Sequence, residues 1–212
     1  MVDCSKTCLS AIDLTLWRGP NCLFEELSFQ VDAGSLLLVR GTNGSGKTTL
    51  LRVLSGLTRP ETGHVQWCGE SIEKTRQAFT AALAYFGHAD GLKADLTVTQ
   101  NLEFSARLYG RSGEQVSGLL KALNLSQCAQ LETRYLSAGQ KRRTALARVL
   151  MSNATLWLLD EPVTNLDSVG RDYVEDRLRE HIAGGGLAIA ATHEDIRLAS
   201  ESPDEIFLGD DA

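Results

Sequence analysis

The sequence predicts an α/β fold: a core of mostly parallel strands around a phosphate-binding loop (P-loop), with antiparallel strands before it and a helical subdomain inserted into it. Three observations predict this. The apolar run Leu36-Leu37-Leu38-Val39 leads into Gly41-Thr42-Asn43-Gly44-Ser45-Gly46-Lys47-Thr48, a complete Gly-x-x-x-x-Gly-Lys-Thr loop, and a helical stretch follows. Strand, loop and helix in that order are the context the motif requires. Two more apolar runs, Thr155–Asp160 and Leu187–Thr192, flank a helical stretch at 168–182, and strand–helix–strand alternation implies parallel pairing. From Gln77 to Leu131 the texture changes to helical periodicity, as a helical subdomain inserted between two parts of the core would show.

Each element follows from its pattern. Residues 9–16 and 23–31 alternate apolar and polar positions (Leu23, Leu27, Phe29, Val31), as antiparallel strands with one solvated face do. Gly19-Pro20-Asn21 between them is a turn signal. Leu36–Val39 lacks alternation and reads as a central strand covered on both faces. Thr48 to Leu57 is the helix behind the loop, closed by Gly56 and then Pro60. Ala84–Phe86 is a short strand. Segments 98–109 and 114–125 place Leu102, Ala106, Leu108 and Tyr109, then Val116, Leu119, Leu120 and Leu123, at helical spacing. Ala138–Met151 is another helix. Gly184-Gly185-Gly186 closes helix 168–182, and Glu205–Leu208 is a last strand before an acidic tail that leaves no room for a regulatory domain. The expected division is therefore a nucleotide-binding core of residues 1–76 and 155–212, with residues 77–154 as the helical subdomain.

A chain of 212 residues fits one domain carrying an inserted subdomain. Hydrophobic content of 43% with 23% charged residues is ordinary for a soluble globular protein. The net charge of −6 weighs against a nucleic-acid binder. The richest basic run, Lys141-Arg142-Arg143, falls inside a predicted helix, where a solvated or interface face accounts for it. No secretory leader is expected, and the longest aliphatic run near the N-terminus, Leu36–Val39, is far short of the ~20 residues of a membrane helix. Work at a membrane would require docking on a partner that spans it. Cys4, Cys8, Cys22, Cys68 and Cys128 are odd in number and scattered, which predicts free thiols in a reducing compartment.

The chemistry is concentrated at strand ends. Phosphate is anionic, and a glycine-rich loop lets backbone N–H groups converge on it at a helix N-terminus whose dipole favours negative charge. Gly41, Gly44 and Gly46 give that freedom, and Thr42, Asn43, Ser45 and Thr49 complete the cradle. Lys47 is expected on the β- and γ-phosphates of ATP and the Thr48 hydroxyl on Mg²⁺. Asp160 ends an apolar strand, so its carboxylate emerges at the carboxyl edge where ligands of α/β folds sit. It is the expected second Mg²⁺ contact, through water. Glu161, beside it, is the candidate general base for the attacking water.

Between these motifs stands Leu136-Ser137-Ala138-Gly139-Gln140. The ordered set of Gly-Lys-Thr, Leu-Ser-x-Gly-Gln, Asp160-Glu161 and then His193 resembles the ATPase subunits of the ATP-binding-cassette (ABC) superfamily. The resemblance implies ATP hydrolysis with Mg²⁺ and assigns further roles. His193 would contact the γ-phosphate and hold the water–Glu161 pair. Ser137, Gly139 and Gln140 would bind the γ-phosphate of ATP held by the opposing subunit, so that two copies arranged head to tail form the working unit. Asp167, in Thr164-Asn165-Leu166-Asp167, matches the loop that crosses the dimer interface. Two departures stand out. Where most members have glutamine after the strand Ala84–Phe86, this chain has His88, which leaves Mg²⁺ coordination by that loop open. The adenine-stacking aromatic is offset: Trp17 is one residue off the expected spacing and Arg18 is on it. Either side chain can stack on adenine, and packing is the other reading of Trp17.

Within the superfamily the chain is most similar to the heme-exporting ATPases of bacterial cytochrome c maturation. The traits are a short single cassette, Phe86-Gly87-His88, Gly91-Leu92-Lys93 before Leu96-Thr97, and Leu23-Phe24-Glu25-Glu26-Leu27-Ser28-Phe29. This resemblance implies a pair of such subunits, peripheral on the cytoplasmic face of a bacterial inner membrane, joined to integral membrane subunits and touching heme only indirectly. No Cys-x-x-Cys-His attaches heme covalently. In that setting the segment His88–Leu96 is expected to move with nucleotide state and to present Leu92 to a membrane partner. Two rivals are the ATPase of another small ABC exporter and a soluble ABC protein acting on DNA or ribosomes. The second is disfavoured by the single cassette and by fewer than a hundred residues between phosphate loop and signature, which leave no place for a long coiled coil.

Overall fold

The computed structural model describes residues 7–108, 110, 113–197 and 203–209; Tyr109, expected on the first inserted helix, lies outside them, as does Cys4. Two sheets organise these residues. Strands β1 (Cys8–Arg18), β2 (Asn21–Asp32), β4 (Thr62–Trp67) and β5 (Glu70–Ser71) form an antiparallel sheet in the order β2-β1-β4-β5. Strands β3 (Leu36–Gly41), β6 (Leu83–Phe86), β7 (Leu156–Asp160), β8 (Leu187–Ala191) and β9 (Asp204–Leu208) form a parallel sheet in the order β6-β7-β8-β3-β9.

The continuous apolar runs are the inner strands of the parallel sheet because both of their faces are covered. Along β3, Leu36 and Leu38 join a core with Phe86, Trp157, Leu159, Ala188 and Ala190. Their neighbours Leu37 and Val39 join a second core with Leu156, Leu158, Leu187, Ile189 and Ala191 on the other face. Helices α3 (Val98–Leu108), α4 (Val116–Ala122), α5 (Ala138–Leu150) and α6 (Ser168–Ala183) contribute to the first core. Helix α1 (Lys47–Leu54) and the antiparallel sheet close the second.

Three differences from the sequence reading have local causes. Helix α1 ends at Leu54 rather than Leu57, because Gly56 takes a left-handed conformation (φ 73°). That turn lets Gly56 N–H donate to Val53 O and Leu57 N–H to Arg52 O, a closed C-terminal cap. Strands β4 and β5 and helix α2 (Arg76–Ala82) lie in a stretch whose mixed polarity carried no strand or helix signal. Residues 77–86 were expected in the helical subdomain, yet β6 pairs with β7 in the parallel sheet and Phe79 of α2 packs into the core shared with α1. We propose on this pairing that the helical unit starts near Val98 rather than at residue 77.

The thiol expectation needs a correction as well. Cys8, Cys22 and Cys128 are free, but Cys68 is disulfide-bonded. Among the described residues no helix is long and apolar enough to cross a membrane.

Candidate functional site

The carboxyl ends of β3, β7 and β8 meet at one edge of the parallel sheet, and each delivers one part of the site. From β3 comes the phosphate loop. Gly41 (φ 137°) and Gly46 (φ 103°) both adopt conformations that side chains disfavour. A Cβ on Gly41 would stand 2.3 Å from Leu208 O and 2.6 Å from Ser45 Oγ, so only glycine fits. Gly46 is the N-cap of α1 and offers no side-chain cap to the helix, leaving the first-turn N–H groups for an anion. The Ser45 hydroxyl is buried without a hydrogen-bond partner. A buried orphan hydroxyl costs about 1–3 kcal/mol, and a phosphate oxygen in the loop answers it. Lys47, 7% exposed, donates from Nζ to Gly41 O (2.7 Å) and Thr42 O (2.9 Å), which holds its ammonium over the cradle.

From β7 come Asp160 and Glu161. The Thr48 hydroxyl donates to Asp160 Oδ2 at 2.9 Å, bringing the two expected magnesium contacts together across 112 residues. Burial raises the Asp160 pKa above the ordinary carboxylate value, opposed by the Thr48 hydrogen bond and by Arg142, with Glu161 raising it and His88 lowering it further. A buried carboxylate beside a second carboxylate and a hydroxyl is a hard-oxygen environment that a divalent cation relieves. Glu161 is held on every side. Its N–H donates to Ala191 O (2.8 Å), Oε1 lies 3.1 Å from His193 Nδ1 at the end of β8, and Oε2 accepts from Thr164 Oγ1 (3.0 Å). Its backbone is left-handed (φ 52°), a conformation that costs about 1–3 kcal/mol and persists only where the surroundings fix it.

The signature residues stand at the start of α5. Ser137 caps α5: its Oγ accepts from Gln140 N–H (3.3 Å), and Gln140 Oε1 accepts from Ser137 N–H (2.9 Å). Gly139 has open space around it. Asp167 likewise caps α6, accepting from Gly170 N–H at 2.8 Å. Exposed His88 and half-buried Leu92 follow β6. The segment carrying them is tied down: Arg148 of α5 donates to Asp90 O (3.1 Å) and Gly91 O (2.6 Å), and Asn101 of α3 donates to the carbonyls of Lys93, Leu96 and Thr97. Trp17 is 42% exposed on β1 and pairs with Cys22. The adjacent Leu23 lies against Gly46, a Cβ there standing 3.1 Å from Leu23 Cβ. Trp17 therefore sits at the hairpin end whose next strand carries Leu23 to the phosphate loop.

Two contributors were not singled out from sequence. Thr164 was noted only as part of the stretch leading to Asp167, although its spacing of three from Glu161 was the available signal. Arg142 belongs to the basic run Lys141-Arg142-Arg143, for which the sequence predicts a solvated or interface face. It is half-buried, its guanidinium 4.7 Å from the Phe86 ring centre, and Nη2 donates to Asp160 O (2.6 Å) and Glu161 O (3.3 Å). Away from this edge, a cleft of about 410 Å³ lies at the amino-terminal end of β7 and β8, where Trp157 and His181 stack at 4.0 Å.

Fold and site together define a phosphate-loop ATPase with an antiparallel subdomain and a helical insertion. The ABC transporter family profile matches residues 24–164. The chain superposes on the ATP-binding subunit of an ABC transporter with a TM-score of 0.75 (24% identity, 87% of this chain and 79% of that one). A bacterial Atm1-family ABC exporter with ATP bound also gives 0.75 (24% identity, 90% of this chain and 35% of that one). Curated relatives named cytochrome c biogenesis ATP-binding export protein CcmA are 45% identical in Nitrosococcus oceani (94% of this chain, 92% of the relative) and 41% identical in Shewanella frigidimarina (93% and 92%). The chain belongs to this CcmA family of ABC transporter ATPases, and it is the ATP-hydrolysing subunit of an ABC transporter.

Proposed function

We propose that two copies of this subunit, head to tail on integral membrane subunits at the cytoplasmic face of a bacterial inner membrane, use ATP to export heme or release a heme chaperone in cytochrome c biogenesis. The names and high coverage of its relatives support the cargo. The carrying observation is the convergence at one sheet edge of Lys47, the Thr48–Asp160 pair and the Glu161–His193 pair.

Each residue then has a task. The loop N–H groups and Lys47 bind the β- and γ-phosphates. Thr48 and Asp160 would hold Mg²⁺, which would supply positive charge to the phosphate oxygens. Glu161 takes the proton of the water whose oxygen attacks the γ-phosphorus, as the bond to the ADP oxygen breaks. His193 and Thr164 fix one carboxylate oxygen each, so a single orientation of the base persists. Ser137 and Gly139 at the start of α5 meet the γ-phosphate bound by the partner copy, which makes each site composite. Trp17 stacks on adenine, and Asp167 and His88 face the dimer interface and the nucleotide edge.

Glu161→Gln tests the centre of this scheme. ATP binding should persist while turnover falls by about two or more powers of ten, since a positioned base contributes 10²–10⁴-fold. Near-wild-type turnover would remove the base role. Loss of c-type cytochromes in cells carrying Glu161→Gln, with normal levels of the protein, is the expected cargo result; unaffected cytochrome assembly would refute that cargo.

A further inference from the structure

We propose that Arg142 is a positioning residue for Glu161, tying the catalytic carboxylate to the helix whose N-terminus carries the signature. The proposal rests on the base role given to Glu161 and extends it to a residue with no part in binding nucleotide.

The geometry places Arg142 between three elements. It sits one turn into α5, five residues after the Ser137 cap. Its Nη2 reaches the carbonyls of Asp160 and Glu161, where β7 has ended. Its guanidinium plane lies against Phe86, the last residue of β6, immediately before Gly87 and His88. Asp160 is the last residue of β7, in register with Ala191, and Glu161 is the first beyond it. Glu161 is already past the ladder, and the next residue is Pro162, which has no N–H to continue one. On the opposite side Glu161 N–H donates to Ala191 O. The backbone of Glu161 is thus pinned from β8 by its N–H and from α5 by its C=O, and its left-handed φ is fixed between the two. His193 and Thr164 can aim the carboxylate only if that backbone stays in place.

The same helix carries a second arginine that reaches away from the site. Arg148, six residues on, holds Asp90 O and Gly91 O and donates from Nε to Ser105 Oγ of α3. Helix α5 therefore presents its N-terminus to one ligand, grips the catalytic peptide at its second turn, and grips the His88–Leu96 segment near its end. A shift of α5 is passed to Glu161 through Arg142. Both carbonyl bonds come from the one nitrogen Nη2, and the rest of the planar guanidinium is left over the Phe86 ring, a stacking contact that distinguishes arginine from lysine. A lysine supplies one point charge and cannot reproduce it.

The test uses the full chain in its membrane complex, with ATP turnover and binding of a fluorescent ATP analogue as readouts. Arg142→Ala should lower kcat by about ten- to a hundredfold, the scale expected when a reacting group is displaced by a fraction of an ångström to an ångström, with KM and analogue binding changed less than about twofold. Arg142→Lys should recover only part of that loss. The double variant Arg142→Ala/Glu161→Gln should be no slower than Glu161→Gln alone, because a residue acting through the base has nothing left to position. Two results would overturn the proposal: wild-type kcat in Arg142→Ala beside a slow Glu161→Gln, or a double variant slower than Glu161→Gln by the full Arg142→Ala factor. Fast turnover in Glu161→Gln itself would instead take down the base role on which the proposal rests.

Discussion

At the scale of single residues, the site works by giving each charged group a fixed neighbour before any ligand arrives. The Lys47 ammonium is satisfied by two loop carbonyls, which hold it within the loop proposed to take the phosphates. Lys47→Ala removes charge-assisted bonds worth about 1.5–3 kcal/mol each, so affinity for an ATP analogue should fall by tenfold or more in equilibrium titration; retained affinity would deny Lys47 the phosphate contact. A second residue is informative far from the site. His181 stacks on Trp157 and approaches Leu187 O, and burial lowers its pKa below the ordinary histidine value. The unfolded chain takes up this proton at a higher pH than the folded one. Stability is therefore complete above the ordinary histidine pKa and is lost as pH falls from that value toward the lowered one. Urea unfolding at about pH 7.5 and about pH 5.5, on either side of the usual value, should show this loss in the wild type and a smaller one in His181→Gln. Equal losses in the two proteins would assign the acid sensitivity elsewhere.

At the scale of elements, helix starts carry two loads. Ser137 and Gln140 close a reciprocal cap on α5, and Asp167 caps α6. Each cap is worth about 1 kcal/mol, which alone accounts for these residue types. The proposed contact across the dimer is an additional role and is separable. Ser137→Ala should cost about 1 kcal/mol in chemical denaturation. Ser137→Arg should cost a similar amount, bind the ATP analogue normally, and abolish hydrolysis by obstructing the partner's nucleotide. Mixed with Lys47→Ala, it forms heterodimers in which both lesions fall on one composite site and the other site is whole. Recovered turnover is expected, and its complete absence would count against the head-to-tail arrangement.

At the scale of the whole molecule, the segment His88–Leu96 is the proposed connection between hydrolysis and the membrane. A loop with Gly87 and Gly91 suggests freedom, but the bonds from Arg148 and Asn101 attach it to α5 and α3. Gly87 packs closely, since a Cβ there would lie 2.5 Å from the outer atoms of the Tyr85 ring, which would have to move. Any movement of the segment therefore carries the helical unit with it. Half-buried Leu92 lies in this segment, and the exposed Phe104 and Leu108 lie on α3, with Lys93 over the Phe104 ring. Leu92→Asp should weaken co-purification with the membrane subunits while leaving nucleotide binding intact. Unchanged yield of the complex with normal transport would move the interface elsewhere on the helical unit.

The sequence by itself determined the family, the parallel core and the order of the motifs. Glycine spacing in the loop and unbroken apolar strands are local patterns whose physical cause acts within a few residues. The placement of Asp160, Glu161 and His193 was legible for the same reason, because a residue that ends a buried strand emerges at the sheet's carboxyl edge. Strands β4 and β5 were not legible. Their residues are mixed in polarity; β4 gains its conformation from pairing with β1, whose partners lie more than 45 residues earlier, and β5 from pairing with β4. Arg142 and Arg148 were not legible either. In the sequence they are two basic residues of an amphipathic helix, alike in type and context. Only the packing of α5 against β6, β7 and α3 decided that their guanidinium groups meet backbone carbonyls at the end of β7 and in the segment after β6. A buried carbonyl must find a donor, and which donor reaches it is set by tertiary distance rather than by position in the chain.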